Sequence, residues 1–183
     1  MKGNFPIDKF RALETPFYYY DVDVLRKTLN IVKSEAEKYD FHLHYALKAN
    51  ANSRILSIIK EYGLGADCVS GGEIQAALKA GFAPDKIVFA GVGKADWEIN
   101  LGLDTDIFCF NVESIEELQV IDELAWAKRK TASIALRINP EVNAHTHHHI
   151  TTGMQENKFG INLEQLDGVL DLLPNLPNIV LFQ

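Results

Sequence analysis

The sequence is poor in the features that mark secreted, membrane-bound or nucleic-acid-binding chains. It has two cysteines in 183 residues. Cys68 and Cys109 each sit inside an apolar, strand-like segment (GADCVS and DIFCF), so they read as buried structural thiols of a cytoplasmic protein rather than as a disulfide framework. No apolar run approaches the roughly 20 residues of a bilayer span. No basic run flanks an amphipathic helix, so a membrane-surface partner is not expected either. The opening MKGNFPIDKF breaks its apolar residues with Asn4, Pro6 and Asp8 before a signal-peptide core can form. Basic charge is also scarce: 18 Lys and Arg stand against 25 Asp and Glu, a net charge of −7. That sign argues against a nucleic-acid partner, which needs a concentrated cationic surface.

What is present is ordinary for a globular domain with a hydrophobic core: 47% apolar and 23% charged residues. Short apolar runs alternate with amphipathic stretches. Pro16 to Tyr20 reads as a strand, and Leu25, Leu29, Val32, Ala36 and Tyr39 recur at the spacing of one helix face, with Asp21 or Asp23 placed to cap it. Strands are then expected at 41–47, 65–69, 86–90, 106–110, 131–138 and 178–182. Helices are expected at 53–62, 71–81, 94–102, 114–128 and 163–172. Ser114 and Glu117 stand at capping-box spacing, and a polar loop covers 139–157. Strand–helix–strand alternation this close means parallel strands with right-handed crossovers. An open doubly wound sheet and part of a (β/α)8 barrel both satisfy it, and the pattern alone slightly favours the open sheet, because six strands fall short of eight.

Lys48 closes the run HLHYALKAN, just past an apolar strand. Parallel α/β sheets gather their functional groups at that end of the strands. An ammonium partly withdrawn from water there would shift towards the neutral amine that attacks an aldehyde. Position alone does not separate this from a solvated loop lysine, and the chain has twelve others.

The surroundings are more specific. HYALKAN, GADCVSGGE, IVFAGVGKADWEI, FNVES and LRINPEVNAHTHHHITTGMQENKFGI follow one another in the order seen in diaminopimelate decarboxylases, and the chain resembles that family from about Phe17 to Ile161. YALKAN points only to the wider superfamily that includes ornithine decarboxylase. NPEVNAHTHHHITTG together with ENKFGI narrows the match. The resemblance implies a pyridoxal 5'-phosphate (PLP)-binding (β/α)8 barrel, here cut after about six βα units. Residues 16–183 would form the incomplete barrel, and residues 1–15 would cross to a separate β-domain. It implies PLP-dependent decarboxylation of meso-2,6-diaminopimelate to L-lysine by a cytoplasmic homodimer acting on a small amino acid. Related arginine, ornithine or carboxynorspermidine decarboxylases, and a non-catalytic PLP-binding fragment, are the alternatives.

The same resemblance makes Lys48 the catalytic lysine that holds PLP as a Schiff base. Asp67 matches an acidic residue supporting the cofactor pocket, although it is equally suited to cap the following helix. Glu73 fits the helix dipole whatever its function. Ser70, Gly71 and Gly72 could form an anion nest, but tight-turn geometry explains them more simply. Arg137, in an otherwise apolar strand, is expected to be buried and paired, and to reach the cofactor surroundings. His145, His147, His148 and His149 suggest a metal only superficially, since consecutive loop histidines seldom converge on a tetrahedron; no metal is expected. Gly91 to Lys94 (GVGK) lacks the spacing of a phosphate-binding loop. The family's ring-stacking histidine, glycine-rich phosphate loop, glutamate for the pyridine nitrogen and partner-supplied cysteine motif would all lie beyond residue 183. The expectation is therefore a fragment with little activity alone.

Overall fold

The computed structural model describes residues 3–140 and 159–182; the histidines at 145–149 lie outside the described residues. In chain order the elements are α1 (Ile7–Phe10), α2 (Val22–Glu37), β1 (His44–Ala46), α3 (Ser53–Glu61), β2 (Gly65–Cys68), α4 (Gly71–Ala80), β3 (Ile87–Phe89) and α5 (Asp96–Thr105). There follow β4 (Cys109–Val112), α6 (Ile115–Lys128), β5 (Ala132–Leu136), β6 (Ile138–Asn139), β7 (Ile161–Asn162), α7 (Leu166–Leu172) and β8 (Ile179–Leu181).

Six strands form one sheet in the order β1-β2-β3-β4-β5-β8, and every neighbouring pair is parallel. This order decides between the two architectures. A doubly wound sheet reverses direction at a switch point, whereas here each crossover steps the same way. Right-handed crossovers that always step one way put every helix on one face, which is how a (β/α) barrel is wound. The sheet is an arc of such a barrel. Helices α3, α4, α5 and α6 pack side by side along its outer face.

Alternation along the strands separates the two faces. Ala66, Cys68, Ile87, Phe89, Phe110, Val112, Ala132 and Ile134 are buried against the helices with Leu56, Ile59, Ile74, Leu118 and Ile121. The residues between them, Asp67, Val88, Asn111, Ser133 and Ala135, are half-buried on the concave face.

Helix starts follow local chemistry. Asp21 caps α2 by accepting the Val24 N–H (3.0 Å), Ser70 caps α4 through the Glu73 N–H (3.2 Å), and Ser114 caps α6 through the Glu117 N–H (3.1 Å). Two expectations need correcting. Pro16 to Tyr20 is not a strand: Phe17 and Tyr19 pack on Phe10 at steep ring angles (5.4 and 4.9 Å between centroids), and the Tyr19 hydroxyl donates to the Asn4 carbonyl (2.9 Å). The expected strand at 106–110 begins only at Cys109, because Asp106 ends α5 in the left-handed region (φ 54°).

Candidate functional site

A cavity of about 1120 Å³ opens where the strands of the concave face end, and its walls include His44, Lys48, Asp67, Asn111, Glu113 and Arg137. Lys48 lies in a single helical turn, Leu47–Ala49, directly after β1. Leu47 is buried beneath the sheet and anchors the turn, while Lys48 is exposed at the cavity rim. The expected withdrawal of its ammonium from water is therefore not what the structure shows, since the cavity is wide and solvent reaches the amine.

Asp67 sits within β2, between Ala46 of β1 and Val88 of β3 in the register, and faces the same cavity. It does not cap α4, because Ser70 does. Neither Lys48 nor Asp67 makes a hydrogen bond or ion pair within the described residues, so both present their charged groups to the cavity. His44, two residues along β1 from Ala46, is half-buried and stacks on Phe108 (6.1 Å between centroids). Burial lowers its pKa below 6.5, and the nearby Asp67 charge opposes that shift.

Arg137 also differs from expectation. It lies between β5 and β6 rather than within a strand, and its side chain is 48% exposed. The buried member of its ion pair is Glu113, immediately after β4. Glu113 accepts Arg137 Nη1 at 3.1 Å on each carboxylate oxygen and the Gly91 N–H at 2.9 Å. Phe159 lies 5.7 Å from the guanidinium carbon on the ring's face.

The sequence reading passes over Glu113 and takes Lys94, the lysine behind it, only as the end of the GVGK segment. The GVGK segment forms the turn after β3, with Gly91 at φ 112°, a conformation side chains rarely adopt. The turn carries Lys94 inward, where its side chain is 1% exposed. Lys94 Nζ donates to the carbonyls of Gly91 (2.7 Å) and Asn111 (2.8 Å) and pairs with Glu117. A signal existed: Glu113 and Glu117 are like charges four apart at a helix start, an arrangement that asks for a cation.

The α4 N-terminus is closed to anions. Glu98 Oε1 takes the Gly71 N–H (2.6 Å) while its Oε2 takes the Ala95 N–H at the start of α5 (2.9 Å). Glu73 accepts the Val69 N–H (2.8 Å). The Ser70–Gly72 turn is thus a packed junction of two helix starts. Gly71 lets the two starts approach closely: a Cβ there would lie 2.5 Å from the Trp97 ring, which would have to shift. Cys68 and Cys109 are free and buried, and burial pushes their thiols up to about 12 and about 11. Among the described residues no cluster could hold a metal ion, and no helix is long and apolar enough to cross a membrane.

Residues 23–181 match the sequence model of the family described as "Pyridoxal-dependent decarboxylase, pyridoxal binding domain". Among curated proteins, the chain is 64% identical to a diaminopimelate decarboxylase of Bacteroides thetaiotaomicron over 180 residues, which is 98% of this chain and 47% of that protein. It is 48% identical to one from Helicobacter pylori over 152 residues, covering 83% of this chain and 38% of the other. Among solved structures, the Helicobacter pylori diaminopimelate decarboxylase complexed with L-lysine matches with a TM-score of 0.83 at 43% identity, over 94% of this chain and 44% of that one. A Paramecium bursaria Chlorella virus arginine decarboxylase, at 19% identity and TM-score 0.68 over 85% of this chain and 41% of that one, shares the fold. The chain spans under half the length of these relatives.

Proposed function

Because this chain belongs to the pyridoxal-dependent decarboxylases through their pyridoxal-binding domain, we propose that it forms one side of the cofactor site of an enzyme converting meso-2,6-diaminopimelate to L-lysine. The observation that carries this reading is the convergence of Lys48, Asp67 and Arg137 on one cavity at the carboxyl ends of parallel strands. PLP offers an aldehyde, a ring nitrogen and a phosphate. The cavity presents a primary amine, a carboxylate and a guanidinium, so the residues present fit the group.

Lys48 would hold the cofactor covalently through Nζ. Asp67 places negative charge beside the site, which favours a protonated nitrogen on whatever binds there. Arg137, one nitrogen of its fork taken by Glu113, keeps its remaining N–H donors for an anionic group. When bound, PLP supplies the sink for the electron pair left on the substrate Cα by departing CO2.

The choice of substrate rests on the identity to diaminopimelate decarboxylases and on the NPEVNAHTHHHITTG and ENKFGI motifs. A homodimer is the assembly the family resemblance implies, with residues 1–15 crossing to a separate β-domain and residues 16–183 belonging to the barrel. Two free, buried thiols fit a reducing cytoplasm. The test is release of CO2 from meso-diaminopimelate, ornithine and arginine by the intact protein. The reading expects turnover of meso-diaminopimelate alone, lost in Lys48→Ala. Equal turnover of arginine or ornithine, or full activity in Lys48→Ala, would overturn it.

A further inference from the structure

Behind the cavity wall lies a chain of charges that none of the proposed contacts requires. Lys94 is 1% exposed and Glu117 12% exposed at their side chains, and they form an ion pair beneath the turn after β3. The second Glu117 oxygen accepts the Glu113 N–H (2.9 Å). The Glu113 carboxylate in turn holds Gly91 and Arg137. Gly91 closes the circuit, its carbonyl taken by Lys94 and its N–H by Glu113. The four side chains, Lys94, Glu117, Glu113 and Arg137, set two carboxylates between two cations and sum to zero charge. They tie together the ends of β3, β4 and β5 and the first turn of α6.

We propose that Lys94 is a positioning residue for the cofactor site, acting through Glu117 and Glu113 to fix Arg137 at the cavity rim. This rests on the reading of the cavity as a PLP site. The physical reason is the order of burial along the chain. Arg137 is half-exposed, and an exposed arginine paired with a free-swinging carboxylate would sample many geometries. Glu113 cannot swing, because its own N–H is tethered to Glu117 and its carboxylate to Gly91. Glu117 is held in place by a lysine with no route to solvent. An arginine so mounted loses less freedom when it binds an anion, and binding is tighter by that difference.

A merely structural Lys94 would lower stability without changing how Arg137 works, so the test is a double-mutant cycle on PLP affinity. PLP dissociation constants are measured by cofactor absorbance titration on the intact apoprotein, with folding of each variant checked by far-UV circular dichroism. Lys94→Met and Arg137→Met are each expected to weaken PLP binding by about tenfold, the loss of one charge-assisted hydrogen bond. The combined variant is expected to be no weaker than Arg137→Met alone. Should Lys94→Met fail to fold, Glu117→Gln, which can still accept the Glu113 N–H, takes its place in the cycle. Losses that multiply in the double variant, or unchanged affinity in Lys94→Met, overturn the inference. Wild-type protein that does not bind PLP overturns instead the reading of the cavity.

Discussion

Replacing Lys94 by methionine probes the buried charge network with the least change in shape. The substitution removes the donor serving the Gly91 carbonyl, the Asn111 carbonyl and the Glu117 carboxylate, all at a side chain that is 1% exposed. Glu117 is left as a nearly buried carboxylate without its counter-charge. Breaking a buried pair on one side costs about 3–5 kcal/mol. Against a total stability of about 5–15 kcal/mol for a domain of this kind, that is a large fraction. At about 2–4 °C per kcal/mol for 150–250 residues, the melting temperature should fall by roughly 10 °C. The double variant Lys94→Met with Glu117→Gln removes the orphaned charge and keeps an acceptor for the Glu113 N–H, so it should be more stable than Lys94→Met alone. Urea unfolding followed by circular dichroism gives both differences. A loss below about 1 kcal/mol in Lys94→Met, or a double variant less stable than the single one, would refute a buried, charge-balanced network.

Other sites make separate demands. Burial holds His44 below its ordinary pKa of 6.5, against the opposing pull of Asp67 and with help from the charges of His42 and Lys86. Below pH 6.5 the unfolded chain therefore takes up the proton first, so stability should fall as pH drops through that value and level off below the folded pKa; urea midpoints across this range should show the drop, and His44→Asn should flatten it. Cys68 and Cys109, with thiols at about 12 and about 11, should resist a disulfide-exchange reagent at mildly alkaline pH and react only after unfolding. Gly71→Ala should destabilise the junction of α4 and α5 by about 1–3 kcal/mol, because the new methyl would meet Trp97 and the Glu98 side chain; a melting temperature equal to wild type would contradict the close approach.

The rhythm of strands and helices was legible because burial on one face imposes period 2 on strands and 3.6 on helices. All six sheet strands have counterparts in the sequence reading. Strand order is not encoded in periodicity, so the choice between barrel arc and doubly wound sheet waited on the resemblance and then on the observed pairing. Pro16 to Tyr20 misled because aromatic residues favour strands, yet here they pack as a cluster on Phe10 with no neighbouring strand. The two-stranded β6–β7 pair was invisible: two residues per strand carry no periodicity, and the partners lie 23 residues apart in register.

At the site, motif and position drew attention to Lys48 and Asp67, and both line the one cavity at the strand ends. What the sequence could not give was their solvent exposure, since that depends on how far the walls of the cavity close. Arg137 drew notice as a charge among apolar residues, and the inference that such a charge needs a partner was sound. Which member of the pair is buried was inverted, because the arginine's long stem reaches out while the short acid after β4 stays beneath the turn. Lys94 carries no local signal beyond its GVGK spacing, because its partners Asn111 and Glu117 come to it only through the fold.

The decisive point is where PLP attaches. Incubating the intact protein with PLP, reducing with borohydride and mapping the modified peptide should place the pyridoxyl group on Lys48. A protein that takes no label, or that carries it on another lysine while Lys48 stays free, would contradict the assignment.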